Sequence, residues 1–171
     1  MAELDEPIHL CAYDPGWPDL HASEARRIAA ALPSGAAIEH IGSTSVPGLL
    51  AKPVIDIMVG VDARHEIGMV RATLASLGYQ DMGEAGVPGR LYFRRRAGGA
   101  FNIHLVRCAG PIWEANLALR DYLQSNPDAA AEYALAKRAA VEAGATSLLA
   151  YSDRKSDTVS RLLERALDWK R

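Results

Sequence analysis

The sequence predicts an α+β fold: a small mixed β-sheet flanked by helices and completed by a C-terminal helical layer. Three observations carry that prediction. Two apolar runs, at 37–41 and 54–61, stand on either side of a loop punctuated by Gly42, Pro47, Gly48 and Pro53. Further on, the runs at 91–96 and 101–107 flank Ala97-Gly98-Gly99-Ala100, the pattern of a hairpin. After Pro111 the apolar spacing becomes wholly helical.

Taken in order, residues 8–13 read as a short edge strand stopped by the turn signal Asp14-Pro15-Gly16. A helix is predicted over 17–32, with Leu20, Ile28 and Leu32 on or near one face, and Pro33-Ser34-Gly35 breaks it. The run at 37–41 is the first central strand and 54–61 the second. The second is almost continuously apolar, as expected of a strand covered on both faces. Residues 64–77 form an amphipathic helix closed by Gly78. A short strand at 79–82 and a glycine-rich loop at 83–90 lead into the hairpin. Helices follow at 112–125, 127–143 and 152–169; in the last, Val159, Leu162, Leu163, Ala166 and Leu167 recur at helical spacing and must pack on something. No repeat or linker divides the pattern, so residues 1–171 read as one domain.

Composition sets the class. A chain of 171 residues can bury a real core, and its formal charge of −2 does not suggest bulk attraction to nucleic acid. Cys11 and Cys108 lie far apart and match no metal or redox motif, so they read as two buried, reduced thiols. The acidic N-terminus has no apolar signal segment, and no stretch is long and apolar enough to span a bilayer. A soluble, cytoplasmic protein without a membrane partner is the expectation.

The densest chemistry lies at 39–59. Gly42 lets the chain turn sharply and approach a ligand, while Ser43, Thr44 and Ser45 supply hydroxyls and N–H groups for an anion. Asp56 stands between Ile55 and Ile57, where an acid is costly unless paired, hydrogen-bonded or bound to a metal. Loop and acid together read as a phosphate and metal site. Strand alternation puts Asp56 and Met58 on one face, and Ile55, Ile57 and Val59 on the other. Glu39 is a candidate second oxygen ligand, His40 is its rival for the cleft face, and Lys52 can reach a phosphate at the loop mouth. Arg94 and Arg96 share a strand face within the one dense basic patch, which also includes Arg90 and Arg95. Each residue also has a structural alternative: a backbone-bonded Asp56, a core His104, Glu39 or Ser43 capping a turn, a solvated Lys52, a basic strand edge.

The run from Glu39 to Val59 resembles the GrpB family, whose members share the nucleotidyltransferase fold. Weaker matches fall in the expected order: Tyr13-Asp14-Pro15-Gly16-Trp17, Leu77-Gly78-Tyr79, His104-Leu105, Arg120-Asp121-Tyr122-Leu123, Glu132-Tyr133-Ala134-Leu135-Ala136-Lys137, and Tyr151 with Lys155. The resemblance implies a mixed sheet of nucleotidyltransferase type. It also implies a nucleotide triphosphate on the Gly42-Ser43 turn and a divalent cation (Mg, Mn or Zn) held by Asp56 with Glu39 or His104. His104 stands about where the superfamily places its third acid, and it is also a candidate general base. Met58 replaces the second acid. Arg120, Lys137 and Lys155 match family positions on three successive helices and, beside Tyr122, Tyr133 and Tyr151, suggest a roof over an anionic ligand. Two activities follow as expectations. One is nucleotidyl transfer to a small-molecule acceptor. The other is a catalytically depleted nucleotide- or phosphate-binding module, for example one linked to coenzyme A biosynthesis. Another small-molecule reaction using His104 stands beside them.

Overall fold

A computed structural model describes residues 4–171. Its helices are α1 (Trp17–Ala31), α2 (Ile67–Ser76), α3 (Pro111–Ser125), α4 (Pro127–Glu142) and α5 (Leu148–Lys170). The strands are β1 (Ala37–Ile41), β2 (Ile55–Val61), β3 (Gln80–Asp81), β4 (Leu91–Arg95) and β5 (Phe101–Arg107). They form one mixed sheet in the order β1-β2-β5-β4-β3, in which β2 and β5 run parallel and the other neighbours antiparallel.

Alternation along β2 divides the molecule. Ile55, Ile57 and Val59 point into a core shared with Ile28, Leu74, Phe93 and Ile103. Met58 points the other way, into a cluster with Ile41, Val106 and Trp113 under α3. A separate core binds the three C-terminal helices through Ala118, Leu123, Ala129, Leu162 and Ala166, and takes in Val46 and Leu49 from the loop before β2. The helical layer thus grips the Gly42-containing loop and covers the distal half of β2. It leaves the proximal end, at Asp56, open.

Trp113 explains one sequence choice. A Cβ on Gly60 would stand 2.5 Å from Trp113 Cζ3, so the indole lies directly on the strand backbone. Gly60→Ala is expected to cost about 2 kcal/mol through overpacking, read as a lower urea midpoint with an unchanged slope.

Five expectations are corrected. Residues 8–13 are no edge strand: Ile8 N donates to Thr146 O (3.0 Å) and Cys11 N to Ala51 O (2.9 Å), with only isolated bridges Pro7–Ser147 and Cys11–Ala51. Through these bonds the segment straps the helical layer to the loop. Helix α2 starts at Ile67 because Asp62 folds the preceding residues into a turn, accepting from Arg64 N at 2.9 Å. Helix α5 starts at Leu148, where Asp5 accepts from Leu149 N at 2.9 Å. Leu20 is 50% exposed and faces away from the core. Cys11 and Cys108 are free thiols but only half-buried.

Candidate functional site

The turn and the acid meet. Gly42 has φ +71° and ψ −172°, a conformation that favours glycine, and it opens the 3-10 turn Ser43–Ser45. A Cβ at this position would lie 2.7 Å from Asp56 Oδ2, so the carboxylate packs against the turn itself. Asp56 Oδ1 accepts from Asn102 Nδ2 at 2.7 Å, and His104 Nε2 stands 3.4 Å away. The register makes this possible: Asp56 is opposite Asn102, and Met58 opposite His104, so all four share one sheet face. A quarter of the Asp56 side chain remains open to the cleft. Burial opposes its ionisation, but the His104 hydrogen bond and charge, then Lys52 and Asn102, outweigh it and hold the carboxyl at about 2.

A depressed folded-state pKa stabilises the fold above the ordinary carboxyl value of 3.8, and that contribution is lost as pH falls through about 2. Acid unfolding of the wild type between those values should therefore include about 2 kcal/mol from this group. In Asp56→Asn that increment should be missing, as a shallower fall of urea midpoint with pH over the same interval.

Lysines supply the opposite charge. Lys137 on α4 is 1% exposed. Its Nζ donates to Ser43 Oγ and to Leu50 O (2.7 Å) and lies 4.4 Å from the Tyr133 ring centre. It forms no ion pair with a carboxylate among the described residues. Burial, followed by repulsion from Lys155 and Lys52 and only partly offset by Asp56, lowers it to about 7. Lys155 on α5 donates to Tyr133 OH at 3.3 Å and sits over the Tyr151 ring at 5.2 Å. Lys52 is also pushed down, by burial, with Asp56 opposing. These lysines, Arg90, Asp56 and His104 line a cleft of about 410 Å3 between sheet, turn and helical layer. Among the described residues Asp56 is its one carboxylate.

Of the residues expected at the site, Gly42, Ser43, Thr44, Lys52, Asp56, His104, Lys137 and Lys155 line this cleft. Thr44 contributes little chemistry, since its Oγ1 is bonded to His40 Nε2 at 2.9 Å. Glu39 shares the sheet face of Asp56 but is drawn off by Arg120, whose Nη1 reaches its Oε2 at 2.7 Å. His40 lies on the opposite face, stacked on His21 at 4.5 Å. Arg120 also holds Asp121 (2.8 Å) and His40 O (3.1 Å), so it clamps α3 to β1 and does not reach the cleft. Arg96 donates to Glu6 at 2.7 and 3.0 Å, and Arg94 reaches the same carboxylate and Leu4 O. Their charge is spent on the N-terminal strap. Tyr122 takes Arg165 instead of roofing the cleft.

The expected cation set is not assembled. Among the described residues no three His, Cys, Asp or Glu side chains converge as metal ligands. Met58 is fully buried, its position filled by apolar packing rather than open to ligation. The donors present do not fit a two-cation centre, which needs several carboxylates around paired ions. Restoring the acid should fail for the same reason. Met58→Asp is expected to cost about 3 kcal/mol or more by burying an unpaired carboxylate, read by chemical denaturation, without creating Mg2+ affinity.

Three contributors were not foreseen as cleft residues. Asn102 precedes His104 by two, so the same alternation that places His104 places Asn102; that signal was present. Tyr92 enters through the β4–β5 register, which sets it opposite His104; Arg90 enters because the 83–90 loop folds back, its guanidinium 5.0 Å from the Tyr92 ring. No sequence pattern fixes that return.

Comparison with known proteins decides the family. A family profile described as GrpB protein matches residues 7–165. The chain belongs to the GrpB family. It is 38% identical over 172 residues to UPF0157 protein PA4798 of Pseudomonas aeruginosa, covering 95% of this chain and 69% of that protein. A dephospho-CoA kinase of Mycolicibacterium paratuberculosis is 26% identical, and the chain spans 47% of its length. The crystal structure of conserved protein GrpB from Enterococcus faecalis superposes with a TM-score of 0.84 at 31% identity, covering 95% of this chain and 99% of that one. The MgGTP-bound Cid1 poly(U) polymerase matches with a TM-score of 0.51 at 15% identity over 74% of this chain and 42% of that one. The latter likeness concerns the fold alone: this GrpB chain has a nucleotidyltransferase-like architecture. Among the described residues no helix is long and apolar enough to cross a membrane.

Proposed function

We propose that this GrpB protein binds a nucleotide, or another small molecule bearing phosphate, with its phosphates between the Gly42-Ser43 turn and the lysines of the helical layer. One observation carries the reading. Among the described residues Lys137 is buried with no carboxylate bonded to it and its charge only partly offset by Asp56, touching the hydroxyl of the turn residue and facing two further lysines. A buried, uncompensated ammonium is costly, and a fold that keeps one gains when an anion arrives. Ser43 Oγ and Lys137 Nζ then exchange their mutual bond for charge-assisted bonds to phosphate oxygens. Lys155 and Lys52 add charge from either side.

A second reading, nucleotidyl transfer, is favoured by Asp56. Its Oδ2 faces the turn while Oδ1 is anchored by Asn102. In that reaction an acceptor hydroxyl or amine, oriented by Asp56, forms a bond to the α-phosphorus and loses its proton to solvent as the bond to the pyrophosphate leaving group breaks. The lysines hold the leaving oxygens, and His104 fixes the carboxylate. Catalysis would be positioning and electrostatics.

Calorimetric titration of the full chain with ATP, GTP, dephospho-coenzyme A and inorganic triphosphate tests the first reading. At least one should bind saturably at a single site, with a rise in melting temperature. Silence with all four contradicts it. Asp56→Asn separates the two readings: the bound ligand persists, whereas pyrophosphate release from a nucleotide disappears if transfer occurs.

A further inference from the structure

Resting on the reading that phosphates occupy this cleft, we infer that its lysine ammonium groups, and not a divalent cation, neutralise the bound phosphates. The fold relatives suggest a cation here; the side chains of this chain argue against one. The strand position two residues beyond Asp56 is Met58, enclosed by Ile41, Val106 and Trp113. Glu39, which shares that face, is held by Arg120 at 2.7 Å. Asp56 itself is committed: Oδ1 serves Asn102 and His104.

Charge points the same way. Among the described lining residues, Lys52, Lys137, Lys155 and Arg90 stand against one carboxylate, Asp56, with Glu6 acting on Lys52 from outside the cleft lining. A free dication would enter a region that is already positive, whereas a polyanion enters it downhill. The lysines come from three separate places, the loop before β2, α4 and α5, yet converge on the Ser43 turn. Lys137 is the deepest of them and its hydrogen bonds end on neutral oxygens, Ser43 Oγ and Leu50 O. Lys155 is steadied by Tyr133 and Tyr151. Phosphate oxygens met by point charges on flexible stems need no bridging metal.

The consequence is an unusual cation dependence. Mg2+ chelates triphosphate in solution and so competes with a lysine site, while it completes a metal site. Inorganic triphosphate is titrated into the full chain by calorimetry in excess EDTA, in Mg2+ and in Mn2+. The dissociation constant in EDTA is expected to equal that in Mg2+ within threefold, or to be tighter. Binding more than threefold weaker in EDTA overturns the inference while leaving the phosphate reading intact. Silence in all three buffers removes that reading and the inference with it. Asp56→Asn gives an independent arm, because it removes the carboxylate that faces the lysines. Triphosphate binding in EDTA should tighten severalfold; a loss of affinity confined to the Mg2+ and Mn2+ buffers marks Asp56 as a cation ligand and overturns the inference.

Discussion

Lys137→Met is expected to make the ligand-free protein more stable and to weaken phosphate binding severely. Both effects come from one buried charge. The ammonium is 1% exposed, has no carboxylate bonded to it among the described residues, and is held near 7 by burial and by Lys155. Methionine fills a similar volume without desolvating a charge, while Ser43 Oγ and Leu50 O lose a donor. The net gain should be about 1–4 kcal/mol, the range seen when buried charges yield to apolar groups.

Its pH dependence has a definite sign. The unfolded lysine binds a proton up to about 10.5, the folded one only to about 7. The penalty is therefore complete below pH 7, fades between those values, and is gone above the upper one. Melting curves of wild type and variant should be furthest apart near pH 6 and converge toward pH 10. A variant less stable than wild type at pH 6 would contradict the account. Ligand affinity should drop by a factor of about 100, as expected on losing a buried charge-assisted contact. A bound phosphate restores the ammonium, so binding at pH 8 should take up a proton, measurable from heats in buffers of different ionisation enthalpy.

Gly42→Ala should be the most damaging single change to the site. The backbone there, at φ +71° and ψ −172°, is strained for any residue with a Cβ. The added carbon would also lie 2.7 Å from Asp56 Oδ2 and 3.1 Å from Asp56 Cβ. Relief requires either the turn or the carboxylate to move, and the carboxylate is tied to Asn102. A loss of about 3–4 kcal/mol is expected, combining strain with overpacking. Phosphate binding should vanish with it, because Ser43 leaves Lys137. Gly48→Ala is the control. That glycine also has a positive φ, +78°, but nothing lies within 4 Å of its would-be Cβ. It should lose about 1 kcal/mol and retain binding. Equal damage at both positions, measured by urea unfolding and triphosphate titration, would show that the contact with Asp56 is unimportant.

Much of the fold was legible because it rests on local signals. The alternation in β2, the Gly98-Gly99 hairpin and the helical spacing after Pro111 each state their own structure. The face assignment of Asp56 and Met58 followed from alternation alone. What could not be read was competition between partners distant in sequence. Glu39 was a plausible ligand until Arg120, 81 residues away, took it. Arg94 and Arg96 suited a phosphate until Glu6 claimed them from the N-terminal strap. The strap itself read as a strand because its pattern is extended, and only tertiary placement shows that its hydrogen bonds go to the helical layer. Lys137 was located by family position, but its burial, which gives it its importance, depends on how α4 packs over the loop. Charges choose their partners in three dimensions, so the polar part of a site is the last to emerge from a sequence.

The most direct measurement is a crystal structure of the full chain grown at pH 8 with inorganic triphosphate and EDTA. The account predicts phosphate density within hydrogen-bond distance of both Lys137 Nζ and Ser43 Oγ. Triphosphate bound elsewhere, with Lys137 still joined to Ser43 and Leu50, would contradict it.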